Sequence, residues 1–311
     1  MTRPGIMPNF LVIGAAKAGT TSIYHYLKQH PQVFLPACKE PRFFAFEEET
    51  LNYRAADGME PRINTTSITH LRDYQQLFDG VTAETAIGDI SPIYLYSKKA
   101  PENIKRYIAG ARMIVLLRDP VDRAFSNYVY MLMRGMEPCK SFEEALDAEQ
   151  RRIAENWAPL YHYRERGFYH SQLSAYYRLF RSDQIRIYLF EELKHSPRQV
   201  CRDIFLFLGI DPEFVPDTDK DHNVSGIPKN RILQSLLDAA RGSSGMPISL
   251  LKTLLPKEIR SRIRSRMDHA ARNNLIKPEL SPETRLRLKK EYRNDITMLQ
   301  QLIGKDLSLW L

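Results

Sequence analysis

An α/β fold, with a doubly wound, mainly parallel sheet, flanking helices and a helical C-terminal extension, is predicted by three observations. Residues Phe10 to Tyr26 read FLVIGAAKAGTTSIYHY: a short apolar run, a loop of small residues, then a run of helical character. Residues Arg112 to Tyr128 repeat the plan, with RMIVLL followed by RDPVDRAFSNY and Pro120 fixing the turn. Strand-like and helix-like stretches alternate through the remainder, which implies parallel strands joined by helical crossovers.

Taken in order, Phe10 to Ile13 is a buried strand, Gly14 to Gly19 a loop, and Ile23 to Lys28 a helix opened by Thr20, Thr21 and Ser22. Pro31 breaks the chain before a short extended run at Val33 to Leu35. Ala86 to Ile90 is a strand, and Pro101 to Ile108 a helix with proline at its start. Arg112 to Leu117 is a strand and Val121 to Met133 a helix. Phe142 to Asn156 and Phe168 to Phe180 have helical spacing. Ile185 to Phe190 is a strand, and Arg198 to Leu208 a helix closed by Gly209. After about Asn230 the chain reads as helix throughout. Ser281-Pro282-Glu283 marks the start of a long helix, Pro282 to Leu302, and LSLWL at the end docks on the core. The 311 residues read as one domain, with an α/β core over 8–230 and an extension over 231–311.

The first loop has the spacing Gly14-x-x-x-x-Gly19, which makes the fold P-loop-like. Strand, small-residue loop and helix N-terminus together form a phosphate cradle, because backbone N–H groups and the helix dipole converge on one spot. Nucleoside-triphosphate loops carry a lysine directly after the second glycine; here that residue is Thr20. Lys17, at the centre, is the lysine of the loop. The cradle therefore holds a phosphate without the lysine that reaches a γ-phosphate. Arg118 falls at the C-terminal end of the second strand and Ser126 on the helix after it, where α/β sheets bind ligands. An arginine and a hydroxyl there can hold a second phosphate. Read alone, Arg118 fits equally an ion pair with Asp119 or Asp122, and Ser126 a solvated helix face.

AAKAGTTS followed by RDPVDRAFSNY resembles the sulfotransferases that use 3′-phosphoadenosine 5′-phosphosulfate (PAPS), and the similarity runs from about Phe10 to Trp310. The resemblance implies that Lys17, Ala18, Gly19, Thr20, Thr21 and Ser22 contact the 5′-phosphosulfate, and that Arg118 and Ser126 contact the 3′-phosphate. It implies no metal, since one cation at the bridging oxygen, Lys17, is enough to stabilise the departing phosphate. Sulfuryl transfer to a hydroxyl needs a base. Glu40, in Glu40-Pro41-Arg42-Phe43-Phe44, fits the E-x-x-F-F pattern in which the glycan members place theirs, and the aromatic pair is expected to lower the polarity around it. Without the family, Glu40 reads as a surface residue neutralised by Lys39 or Arg42.

The hormone-sulfating branch has a tryptophan after its threonine pair and a histidine after a Ser-Pro turn; GTTS and GDISPIYLYS have neither. The chain therefore looks like the glycan, heparan sulfate sulfotransferase-like branch, in a soluble, bacterial-type form. Asp89 stands where that branch often has an acidic residue. It could orient Lys17 or the acceptor, or be a strand-end residue that caps the helix near Ser91. The lysine that heparan-modifying members carry next is Ile90 here, which counts against a heparan-like acceptor. Asp89, Arg42 and Tyr94 are the candidates for acceptor contact. The family closes its cofactor site with a C-terminal loop, for which Asn223, Ser225, Gly226 and Lys229 are the candidates. The aromatic residues Trp157, Tyr161, Tyr163, Phe168 and Tyr169 could line an acceptor cleft or fill the core.

A formal net charge of +8 suits an anionic nucleotide. The basic residues are spread out and no nucleic-acid motif stands out, which argues against nucleic acid. The basic run Lys257 to Arg266 reads as a solvated helix face, or else as a contact for an anionic membrane surface or a polyanionic acceptor. Three cysteines without a C-x-x-C pair argue against a disulfide framework, and eight histidines show no metal spacing. No apolar run approaches the roughly 20 residues that span a bilayer, so the expectation is a cytoplasmic enzyme acting on a hydroxyl-bearing carbohydrate or small molecule. The rivals are a P-loop kinase or NTPase, and a non-catalytic nucleotide- or polyanion-binding protein.

Overall fold

The computed structural model describes residues 5–56, 58–219, 227–228, 275–276 and 278–311. Its main sheet has five strands: β1 (Phe10–Gly14), β2 (Val33–Phe34), β3 (Ala86–Ile90), β4 (Arg112–Leu117) and β5 (Ile185–Leu189). They run in the order β2-β3-β1-β4-β5, and every pair is parallel. All five residues of β1 are buried, as are five of the six in β4. A strand covered by helices on both faces must be apolar at every position, and this explains the continuous runs FLVIG and RMIVLL.

β1 is the central strand, so the loop that follows it lies between the ends of β3 and β4. Backbone bonds fix that arrangement: Ala15 N–H donates to the Leu116 carbonyl (2.5 Å), Ser91 N–H to Val12 (3.1 Å) and Leu95 N–H to Ile13 (2.8 Å). The helices follow the expected plan. Asp119 caps the helix Pro120–Met133, its Oδ1 accepting from Val121 N–H (2.8 Å) and Asp122 N–H (3.1 Å). Ser281 caps Pro282–Ile303 through the Thr284 N–H at 3.2 Å. That long helix lies along Tyr169–Leu179, and Leu307 and Trp310 beyond it are buried.

Two expectations are corrected. The stretch expected as one helix over Phe142 to Asn156 is two, Phe142–Asp147 and Glu149–Ala154. Glu149 turns inward at the break, where its carboxylate accepts the N–H groups of Arg164 and Glu165 (2.7 Å each). Within the segment expected to be helical, Leu275–Ile276 is instead a strand, antiparallel to Ile227–Pro228, and this ribbon lies against the helix Pro120–Met133. The basic run Lys257 to Arg266 lies outside the described residues. No helix among the described residues is long and apolar enough to cross a membrane, and no group of His, Cys, Asp and Glu among them could hold a metal ion. Cys38, Cys139 and Cys201 are free thiols.

Candidate active site

The loop after β1 turns through two left-handed residues, Lys17 (φ 71°) and Gly19 (φ 96°). Gly19 is required there: its φ is unfavourable for side chains, and a Cβ would come within 2.6 Å of the Leu193 side chain. The helix Thr20–Leu27 then starts with no side-chain cap on Gly19, which leaves its first N–H groups to an outside acceptor. Ala18 and Thr20 are buried, while Thr21 and Ser22 are partly open. Lys39 donates to Thr21 Oγ1 at 2.8 Å. That contact brings a second lysine to the loop, together with the chain segment that carries Glu40.

The loop after β1 and the segment after β4 meet. Arg118 Nη1 donates to the Lys17 carbonyl at 3.3 Å, and the guanidinium stands 4.6 Å from the centre of the Phe190 ring. Tyr169 fixes the backbone beneath by donating to the Arg118 carbonyl at 3.0 Å. Neither aspartate beside Arg118 pairs with it: Asp119 caps the helix, and Asp122 pairs with Arg285 at 2.7 Å. Burial lowers the Arg118 pKa from its ordinary value. Lys17 Nζ sits 4.3 Å from the Tyr130 ring centre. Burial, and then the charges of Arg118, Lys39, Arg123 and Arg134, bring the Lys17 pKa down to about 8. Positive charge thus accumulates around the loop. Ser126 is half-buried on the helix that carries Arg123 and Tyr130. Asn223, Ser225, Gly226 and Lys229 lie outside the described residues.

Glu40 and Arg42 both have positive φ (60° and 62°), so the chain folds tightly around Pro41. Glu40 Oε2 accepts from Arg42 Nη2 at 3.1 Å, and Arg42 Nη1 donates to Thr66 Oγ1 at 3.0 Å. The loop is tied to the sheet through Ser91, whose hydroxyl accepts the Arg42 N–H (3.1 Å) and donates to Asp89 Oδ1 (2.7 Å). Tyr74 and Tyr94 donate to Asp89 Oδ2 at 2.8 and 2.6 Å. Asp89 is fully buried, and burial raises its pKa to about 6 against the opposing pull of the three hydroxyls.

This arrangement changes several expectations. Asp89 and Tyr94 have no exposed surface on which to meet an acceptor, and Asp89 binds three hydroxyls rather than Lys17. Both belong to a hydrogen-bonded group that reaches the Arg42 backbone through Ser91. Phe43 and Phe44 are fully buried against Tyr74, with ring centres 4.5 and 5.3 Å away, and so belong to the core. The immediate partner of the Glu40 carboxylate is a cation, Arg42. Tyr161, Tyr163 and Tyr169 are likewise buried, leaving only Trp157 and Phe168 of the expected aromatic cleft partly open. Sequence reasoning missed Lys39, Ser91, Arg123, Tyr130 and Arg166. For Lys39 a signal was at hand, since it adjoins Glu40.

The family model for the sulfotransferase domain matches residues 7–237. The membrane-associated sulfotransferase kil1 of Dictyostelium discoideum is 32% identical over 148 residues, covering 46% of this chain and 28% of that protein. Carbohydrate sulfotransferase 15 of Homo sapiens is 28% identical over 173 residues, covering 46% of this chain and 31% of that protein. The chain thus spans about a third of the length of these two relatives. A solved sulfotransferase structure from Alicyclobacillus acidocaldarius is 30% identical, with a TM-score of 0.74 over 98% of this chain and 99% of that one. On a family match over most of its length and a full-length structural counterpart, the chain belongs to the sulfotransferase-domain family.

Proposed function

We propose that this chain transfers a sulfuryl group from PAPS to a carbohydrate hydroxyl. The observation that carries this reading is the contact between Arg118 and Lys17, which joins two phosphate-binding motifs into one cationic site. The loop amides of Lys17 to Ser22 receive the 5′ end. Arg118 and Ser126 receive the 3′-phosphate, a group that AMP and ATP lack. The acceptor oxygen attacks sulfur in line, the bond from sulfur to the bridging phosphate oxygen breaks, and 3′-phosphoadenosine 5′-phosphate (PAP) leaves. Lys17 neutralises the charge that grows on the bridging oxygen. Glu40 takes the acceptor proton: Arg42 holds Oε2, which leaves Oε1 to receive it. Asp89, Tyr74, Tyr94 and Ser91 act on the reaction through the Glu40 loop. The name of one relative, carbohydrate sulfotransferase 15, supports a sugar acceptor. The kinase or NTPase alternative is less well supported, because Thr20 stands where its lysine would be and its one candidate Mg²⁺ carboxylate, Asp89, is buried under three hydroxyl donors.

The test is transfer from PAPS to a panel of sugars, followed by mass spectrometry. Wild-type protein should form PAP and a sulfated sugar together. Glu40→Gln should lose about 10²- to 10⁴-fold in turnover while binding PAP within about twofold of wild type. Full turnover in Glu40→Gln would remove Glu40 as the base.

A further inference from the structure

Lys39 is half-buried and lies immediately ahead of Glu40, the proposed base. Its Nζ donates to Thr21 Oγ1 at 2.8 Å, in the first turn of the helix that follows the β1 loop. An ammonium group has only donors, so the Thr21 oxygen accepts and its own O–H is left to point elsewhere. Among the described residues that O–H meets no acceptor, and Lys39 makes no ion pair. Glu40, the adjacent carboxylate, is turned to Arg42 at 3.1 Å. Lys17 is treated alike: its Nζ faces the Tyr130 ring, 4.3 Å from the centre. The two lysines are close enough for the charge of Lys39 to add to the burial and the Arg118 charge that lower the Lys17 pKa. Burial lowers the pKa of Lys39 itself, against the pull of Glu40. Two lysines that repel each other thus stand at one loop, held there by a hydroxyl and an aromatic ring.

We infer that Lys39 is a second donor-binding cation, which holds the 5′-phosphosulfate jointly with Lys17 and the Thr21 hydroxyl. The inference rests on the sulfuryl-transfer reading and adds a residue to its donor site. The charge of that group suits two cations. A phosphosulfate carries one negative charge on its phosphate and one on its sulfuryl end, and departure of the sulfuryl group builds a second charge on the phosphate. Lys17 serves the bridging oxygen, which leaves Lys39 for the outer oxygens, where a charge-assisted hydrogen bond is strongest. Thr21, fixed as an acceptor toward Lys39, presents its O–H to the same group. Because Lys39 and Glu40 are consecutive, this contact also ties the donor's 5′ end to the segment that carries the base.

The test is calorimetric titration with PAP and with adenosine 3′-monophosphate, which lacks the 5′-phosphate, the weaker ligand being read by displacement. Lys39→Met should weaken PAP at least about tenfold and leave adenosine 3′-monophosphate within about twofold of wild type. Lys39→Arg, which keeps the charge, should bind PAP within about threefold of wild type. Urea unfolding of the ligand-free variants checks the fold, and Lys39→Gln takes the place of Lys39→Met if the latter does not fold. A lysine that only tied its segment to Thr21 would leave the preference between the two nucleotides unchanged. That result would overturn the inference and leave the donor reading standing, as would a loss of PAP binding that Lys39→Arg does not restore. Failure of PAP to bind the wild-type protein would overturn the donor reading and the inference with it.

Discussion

Two arginines are buried to the same degree and are treated in opposite ways. Arg152 is 2% exposed, and its Nη1 and Nη2 donate to the two oxygens of Glu137 at 2.9 and 2.7 Å, with Tyr163 completing the carboxylate's shell. Arg123 is 0% exposed, and its Nε and Nη1 have no acceptor among the described residues, in a neighbourhood that also holds Lys17, Arg118 and Arg166. The closed pair balances its charge internally and serves the fold. The other cluster has no such ion pair among the described residues. Burial of charge by itself says nothing about function; the missing counter-charge does.

The largest effect that tests this contrast lies on the closed side. Arg152→Met strands the Glu137 carboxylate and should lower stability by about 3–5 kcal/mol in urea unfolding. A loss below about 1 kcal/mol would mean that the pair is not structural. On the open side, Lys17→Met should leave stability unchanged or raised, since it removes an uncompensated cation, yet reduce turnover about 10²- to 10³-fold. A Lys17→Met protein as destabilised as Arg152→Met would erase the distinction. Next in size, Arg118→Met should weaken PAP about 10- to 150-fold and leave AMP affinity nearly unchanged, as measured by calorimetry. Parallel losses for both nucleotides would show that Arg118 supports the loop rather than the 3′-phosphate.

The smallest effect is a pH dependence. The Lys17 pKa is lowered from 10.5 to about 8 in the folded chain. Between those values the unfolded chain binds more protons, so the lysine's contribution to stability rises with pH across that window. Its use as a cation moves the other way. PAP affinity should therefore fall from about pH 7 to about pH 9, and binding near the upper end should take up a proton. Calorimetry in two buffers of different ionisation heat measures that uptake, and Lys17→Met should abolish it.

The sheet and the loop were legible in the sequence because each rule involved is local. An apolar run buried on both faces, a glycine at a left-handed turn and a proline after a strand can each be read within a few residues. Arg118 was also legible, as a cation at the end of a strand. The competing ion pair could be dismissed only once Asp119 was seen to cap a helix and Asp122 to reach Arg285. Asp89 and Tyr94 misled because a polar residue at a strand end looks the same whether it faces a ligand or closes an internal network. Tyr161, Tyr163 and Tyr169 were open to either reading, because a tyrosine ring suits a sugar face and a core equally well; their burial is that of core residues. Arg123 and Arg166 carried no local signal. Their proximity comes from packing the turn Glu165–Gly167 against the helix Pro120–Met133, which joins distant parts of the chain.

On the proposed reading, one cationic site joins the loop of Lys17 to Arg118 and takes a nucleotide with phosphate at both ends. Calorimetric titration with PAP, AMP and ATP in the absence of Mg²⁺ tests it most directly. PAP should bind at least about tenfold more tightly than either AMP or ATP. ATP binding as tight as PAP would contradict it and return the loop to the nucleoside-triphosphate class.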